Sequence, residues 1–193
     1  MSVARQPFPD SIVRTLMMRG GVALGPLMPE DTGNLFLWTN DIETAGLDLP
    51  YRPIDGVAFA NWLATAASDQ SRVVFAIRAA GRAQAVGTLM LSGIHPVNRC
   101  ADLGIRIGVE QDRGKGIGAA AVSLGLDYAW DHLNLMRVQL RVLADNERAI
   151  AAYRRAGFAA EGRHANAVYL GGAWHDMMTM AAVNPREAGN KAC

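Results

Sequence analysis

Cysteine is nearly absent: the 193 residues include only Cys100 and Cys193. Two thiols so far apart build neither a disulfide framework nor a thiolate metal cluster, so the chain reads as a reduced, cytoplasmic protein. An excess of one charge is missing too. With 19 basic and 18 acidic side chains the formal net charge is +1, whereas a general nucleic-acid binder needs a basic face or stripe. No apolar run approaches the roughly 20 residues of a membrane span. The opening Met1-Ser-Val-Ala-Arg-Gln-Pro-Phe-Pro-Asp10 holds no continuous apolar core of the signal-peptide kind. His95, His132, His164 and His175 are scattered, and no metal is expected; His95 is the one most open to a role.

Half of the residues are hydrophobic, enough for one domain with a core that needs no staples. Residues 1–20 show no clean period and read as an arm, residues 21–183 as the domain, and 184–193 as a frayed tail. Val22 to Leu27 reads as a first strand, Pro29-Glu-Asp-Thr32 as a helix start, and Phe59, Trp62, Leu63 and Ala66 as one face of a second helix. Arg72 to Arg78 and Ala85 to Leu91 then form a hairpin, and a further strand follows from Ala101. Tight connections make these three antiparallel, while the helix before Arg137–Leu143 is a crossover that makes this next strand parallel to 101–109. Asn146 starts another helix and Gly157 stops it; Ala159–Tyr169 and Trp174–Val183 close the chain as a strand pair.

The most informative stretch runs from Leu103 to Tyr128: an alternating strand, the turn Glu110-Gln-Asp-Arg113-Gly114-Lys115-Gly116-Ile117-Gly118, then an Ala-rich helix. Glycines let a ligand approach the backbone, and the N–H groups of a helix start favour an anion, so a phosphate or diphosphate is expected. Three designs compete. A P-loop would need Ser or Thr after Gly114-Lys115, where Gly116 stands. The dinucleotide fingerprint is met by Gly114, Gly116 and Ala119, yet that fold places it in the first strand–helix unit with several units to follow. The third design is Arg113-x-x-Gly116-x-Gly118, or Gln111-x-x-Gly114-x-Gly116 two residues earlier.

In this third pattern the chain resembles the GNAT acyl-CoA N-acyltransferases, and over roughly residues 21 to 183 its element order, β-α-α-β-β-β-α-β-α-β-β, matches that α+β fold, a mixed, mostly antiparallel sheet with helices on both faces. Trp38-Thr-Asn-Asp41, Asn98-Arg99-Cys-Ala-Asp102-Leu-Gly104 and Asn146-Glu-Arg-Ala-Ile150-Ala-Ala-Tyr153-Arg-Arg-Ala-Gly157-Phe158 resemble its RimJ/RimL branch. The resemblance implies acetyl-CoA as co-substrate, its diphosphate on the backbone N–H groups of Arg113, Gly114, Lys115, Gly116, Ile117 and Gly118. It places the pantetheine arm between splayed parallel strands, paired with backbone near Ile107 and Val109 and held by Asn146, and makes Tyr153 the proton donor to the departing thiolate. It also implies an amine acceptor, a protein N-terminus or a small molecule, and a homodimer through the late strands.

Spacing alone places Asn146, Ile150 and Tyr153 on one helix face; an N-cap asparagine and a core tyrosine would show the same spacing. A phenol with pKa about 10 cannot fully protonate a thiolate of pKa about 8.5 without roughly 2 kcal/mol, so Tyr153 would act by a positioned hydrogen bond. The attacking amine must be neutral, which costs a lysine-like amine roughly 4.6 kcal/mol at pH 7 and an α-amine about 1. Asp102, Glu110, Asp41 and Glu43 are candidate bases. Asp102 stands where the branch usually has glutamate, and a salt bridge to Arg99 or Arg106 is its structural alternative. A non-enzymatic acyl-CoA sensor and a dinucleotide-binding oxidoreductase are the competing functions.

Overall fold

The computed structural model describes residues 16–42 and 51–187. In chain order it contains β1 (Met17–Arg19), β2 (Val22–Gly25), a 3-10 turn (Pro29–Asp31), α1 (Thr32–Thr39), α2 (Gly56–Ser68), β3 (Val73–Ala79), β4 (Gly87–His95) and β5 (Cys100–Ile107). A second 3-10 turn (Glu110–Asp112), α3 (Ile117–Asp131), β6 (Arg137–Leu143), α4 (Glu147–Arg155), β7 (Ala159–Leu170) and β8 (Ala173–Val183) complete it. The eight strands form one sheet in the order β1-β2-β3-β4-β5-β6-β8-β7. Among the described strands only β5 and β6 pair in parallel, joined by the α3 crossover. The antiparallel β3-β4-β5 run and the closing β7-β8 pair are as the sequence implies.

One strand was not legible. Met17–Arg19 turns through Gly20-Gly21, at φ 56° and 78°, to pair with β2. It is a three-residue edge strand with two exposed side chains, so it carries no alternation to read. The first fifteen residues and the last six lie outside the described residues.

Helices lie on both faces, and strand alternation assigns them. Phe75 and Ile77 of β3, Leu89 and Leu91 of β4, Leu103 of β5 and Val138, Leu140 and Val142 of β6 pack with Ala121, Val122 and Leu124 of α3 and Ile150 of α4. Ala76, between Phe75 and Ile77, instead meets Leu35 and Trp38 of α1 and Phe59 of α2. Successive side chains of a strand point to opposite faces. Asp102 therefore shares the α1–α2 face with Gln139 and Arg141.

The parallel pair is short. It has three rungs, Cys100↔Arg137, Ala101↔Val138 and Asp102↔Gln139, after which β5 stays with β4 as far as Ile107 and β6 with β8 as far as Leu143. The two strands part into a V. At the top of β5 the N–H groups of Gly108 and Val109 both donate to the Val86 carbonyl, at 3.0 and 3.5 Å, which is the two-against-one pairing of a β-bulge. Trp38 fixes that bulge from the α1 side: a Cβ on Gly108 would lie 2.1 Å from its indole ring, so only glycine fits there.

Candidate active site

The glycine turn leads from this bulge into α3. Gly114 and Gly116 adopt φ 80° and 81°, the left-handed region that glycine enters freely. Gly116 is also the N-cap of α3, and no side chain caps that start. The first backbone bond onto the cap is from Ala120 N–H to the Gly116 carbonyl, 3.0 Å, which leaves the N–H groups of Ile117, Gly118 and Ala119 ahead of the helical ladder. A Cβ at Gly116 would meet nothing within 4 Å. The glycine is thus required by backbone conformation and leaves an open approach, an arrangement that fits an anionic diphosphate.

Two side chains hold the turn. Asp112 is buried and ion-paired to Arg82 from the β3–β4 connection, with Lys115 Nζ 3.9 Å from its other oxygen. Arg113 folds back so that its Nε donates to the Ile107 carbonyl at 3.1 Å. The side chain of Arg113 therefore braces β5, whatever its backbone holds.

Antiparallel alternation aims the backbone groups of Ile107 away from β4 and into the V, because those of Gly108 face β4. With the Ile107 carbonyl taken by Arg113, its N–H is the group left for a ligand. Val109 differs from the expectation: its N–H faces Val86 through the bulge and its carbonyl accepts from Asp112 N–H at 3.0 Å, so both of its backbone groups are engaged within the protein.

On the β6 side, α4 presents its predicted face. Asn146 is the N-cap, its Oδ1 accepting from Ala149 N–H at 3.0 Å. Its Nδ2 has no partner among the described residues. Cap and donor are different atoms, so the structural role of Asn146 leaves the amide free to bind. Ile150 is buried and Tyr153 half-buried, the latter's ring 5.9 Å from that of Phe158. The Tyr153 hydroxyl has no protein partner among the described residues, and burial raises its pKa above the ordinary phenol value.

Asp102 stands at the vertex of the V. Gln139 Nε2 donates to it at 3.0 Å, and neither expected arginine pairs with it. Arg99 turns to Glu187 and to the Asn134 carbonyl, 2.7 Å from its Nε, while Arg106 Nη1 meets Thr39 Oγ1 at 3.3 Å. A cavity of about 390 Å³ opens here, lined by Asp102, Gln139, Leu140, Arg141, His164 and Thr179. His164, hydrogen-bonded to Thr179 Oγ1 at 2.9 Å, is the one histidine lining this cavity. His95 serves the β4–β5 turn, accepting from Asn98 N–H. Glu110 and Asp41 are exposed, and Glu43 lies outside the described residues. Among the described residues no group of three or more His, Cys, Asp or Glu side chains could hold a metal ion, and no helix is long and apolar enough to cross a membrane.

Comparison with known proteins follows the same lines. A family model described as an acetyltransferase (GNAT) domain matches residues 22–159. Spermidine N(1)-acetyltransferase of Escherichia coli (strain K12) is 34% identical over 112 residues, 58% of this chain and 59% of that protein. The putative ribosomal N-acetyltransferase YdaF of Bacillus subtilis (strain 168) is 33% identical over 105 residues, 54% and 57% of the two chains. The chain thus spans under two thirds of the length of the curated relatives it matches. Among solved structures, spermidine N-acetyltransferase from Vibrio cholerae in complex with CoA and spermine superposes with a TM-score of 0.77 at 22% identity, covering 86% of this chain and 96% of that one. A dodecameric structure of the same enzyme gives 0.74 at 21% identity, covering 90% and 100%. These likenesses show a common fold.

Proposed function

The chain belongs to the GNAT acetyltransferase family, whose domain model matches residues 22–159, and from that premise we propose that it transfers the acetyl group of acetyl-CoA to a primary amine by direct attack. The observation that carries this is the pairing of an uncapped glycine helix start with a parallel strand pair that opens after three rungs. The first seats a diphosphate; the second admits a slender arm.

The roles follow from the free groups. The N–H groups from Gly114 to Gly118 take the diphosphate, and the Ile107 N–H and Asn146 Nδ2 hold the pantetheine from either side. Asp102 sits on the α1–α2 face and Tyr153 on the α3–α4 face, with the V between them. An amine entering by the Asp102 cavity attacks the thioester carbonyl carbon, the C–S bond breaks, and the sulfur leaves as thiolate. The surplus proton on nitrogen passes to Asp102 or through water to solvent. Tyr153 donates a hydrogen bond to the sulfur as charge grows there. Its raised pKa makes full proton transfer still less favourable and keeps the phenol neutral beyond pH about 10, so it acts by position.

Spermidine, named for the Escherichia coli and Vibrio cholerae relatives, is the first acceptor to assay, and a protein N-terminus, suggested by the RimJ/RimL-like motifs and by the YdaF description, the second. A homo-oligomer is proposed too, the exposed edge strand β7 being the free end of the sheet. The low cysteine content favours the cytoplasm.

The test is thiol release from acetyl-CoA with an amine and peptide panel. Amine-dependent release is expected, and Tyr153→Phe should lower kcat about 10- to 100-fold while CoA affinity by calorimetry stays within twofold. Tight NADH binding with none of CoA would end the proposal; CoA binding without turnover of any amine would leave a sensor. Wild-type kcat in Tyr153→Phe would remove the role of the phenol.

A further inference from the structure

The cavity beside Asp102 holds charge of both signs. Among its lining residues Asp102 is the acid, Arg141 the permanent base and His164 the third ionisable group. Two of these are engaged within the protein: Asp102 accepts from Gln139 Nε2, and His164 is hydrogen-bonded to Thr179 Oγ1. The Arg141 side chain has no hydrogen-bond or ion-pair partner among the described residues. The strands around it explain why. On β8 it stands across from Thr179, which offers a hydroxyl and no charge. On its other side the last parallel rung, Asp102↔Gln139, has already passed. The next residue of β5 on this face is the exposed Gly104, where a Cβ would meet nothing within 4 Å. No side chain of β5 therefore fills the space beyond Asp102 that Arg141 faces. The φ of Gly104 is not positive, so its backbone does not require glycine, and a strand glycine with open space over it lets a ligand approach closely.

We propose that Arg141 sets the acceptor specificity, and that the acceptor is a small amino carboxylate whose amine sits at Asp102 while its carboxylate lies on the Arg141 guanidinium. A planar guanidinium matches the two oxygens of a carboxylate at once. One acid and one base on the same face, with room between them, complement a molecule that carries the opposite charges in the same order. Arg141 follows Gln139 by two residues on β6, so its Cα lies roughly 8 Å from that of Asp102, a span that a short zwitterion can bridge. The cavity, about 390 Å³, is at the small end of ligand pockets. This assignment rests on the acetyl-transfer reading and ranks its acceptors, an amino carboxylate ahead of a polyamine. A polyamine held by one ammonium at Asp102 would bring the next against Arg141, and like charges in one cavity repel.

Thiol release from acetyl-CoA by the full chain tests this with acceptors matched in carbon count: β-alanine, propylamine and 1,3-diaminopropane, then 4-aminobutyrate, butylamine and 1,4-diaminobutane. At the better of the two lengths the amino carboxylate should exceed the diamine in kcat/KM by about tenfold or more, the worth of a hydrogen-bonded ion pair. Arg141→Gln should lower the ratio of kcat/KM for amino carboxylate over alkylamine by a similar factor. Arg141→Glu should turn the preference toward the diamine. Each ratio is taken within one preparation, so a variant that folds only in part still reports it. A wild-type preference for the diamines, or an unchanged ratio in Arg141→Glu, would overturn the assignment. Acetylation of a peptide N-terminus with none of the small amines would overturn it too, because the cavity would then serve a macromolecule. No release with any amine or peptide would instead end the acetyl-transfer reading, an outcome distinct from those that concern Arg141.

Discussion

Helices α2 and α3 begin in opposite ways. At α2 the Asp55 carboxylate accepts from Val57 N–H at 2.9 Å and Ala58 N–H at 2.8 Å, so the chain satisfies its own orphan donors. At α3 a glycine with φ 81° stands in the same position and no side chain caps it. A folded chain seldom leaves a helix start unsatisfied unless water or a ligand completes it. The contrast separates a start closed by its own side chain from one left open, which is the opening the proposed coenzyme site uses, and α4 combines both, with Asn146 capping through oxygen and keeping its amide nitrogen free.

The largest effect should come from making α3 resemble α2. Gly116→Asp puts a carboxylate where the diphosphate is proposed to sit and forces a side chain into the left-handed region, at about 1 kcal/mol of strain. We expect CoA affinity by calorimetry to fall at least 100-fold, about 2.7 kcal/mol, while the far-UV spectrum keeps its native shape. Retained affinity would show that the open start is not the anion site, and the comparison would break.

What the sequence made legible is what neighbouring residues determine. The alternation in 103–109 and 137–143, the crossover between them, the glycine turn and the Asn146 cap are local patterns, and they could be read. The partners of Asp102 could not: Gln139 is 37 residues away, and Arg99, a local candidate, goes instead to Glu187, 88 residues away. His164 reaches the cavity beside Asp102 through the non-sequential strand order β6-β8-β7. The engagement of Val109 depends on a bulge set by Trp38 packing on Gly108, which an alternating strand pattern does not display.

Intermediate effects belong to α4. Asn146→Ala removes cap and donor together, so stability should fall by about 1 kcal/mol and CoA affinity by roughly tenfold. Asn146→Asp sharpens the distinction, because aspartate caps as well as asparagine but offers no N–H. Its melting temperature should stay near that of the wild type while CoA affinity still falls. Equal affinity in Asn146→Asp and wild type would return Asn146 to a purely structural role.

The smallest change is at the closed start. Asp55→Ala removes two hydrogen bonds at the surface of α2, and the loss of a cap costs about 1 kcal/mol, which for a chain of this size lowers the melting temperature by roughly 2–4 °C. CoA affinity should not change, because α2 packs on the α1 face through Phe59 whereas the proposed diphosphate site is built from the turn and the start of α3. Scanning calorimetry and CoA titration on the same preparation decide the point. A fall in affinity as large as the one at Gly116 would mean that the two helix starts communicate through the sheet, and that α2 takes part in shaping the coenzyme site from the opposite face.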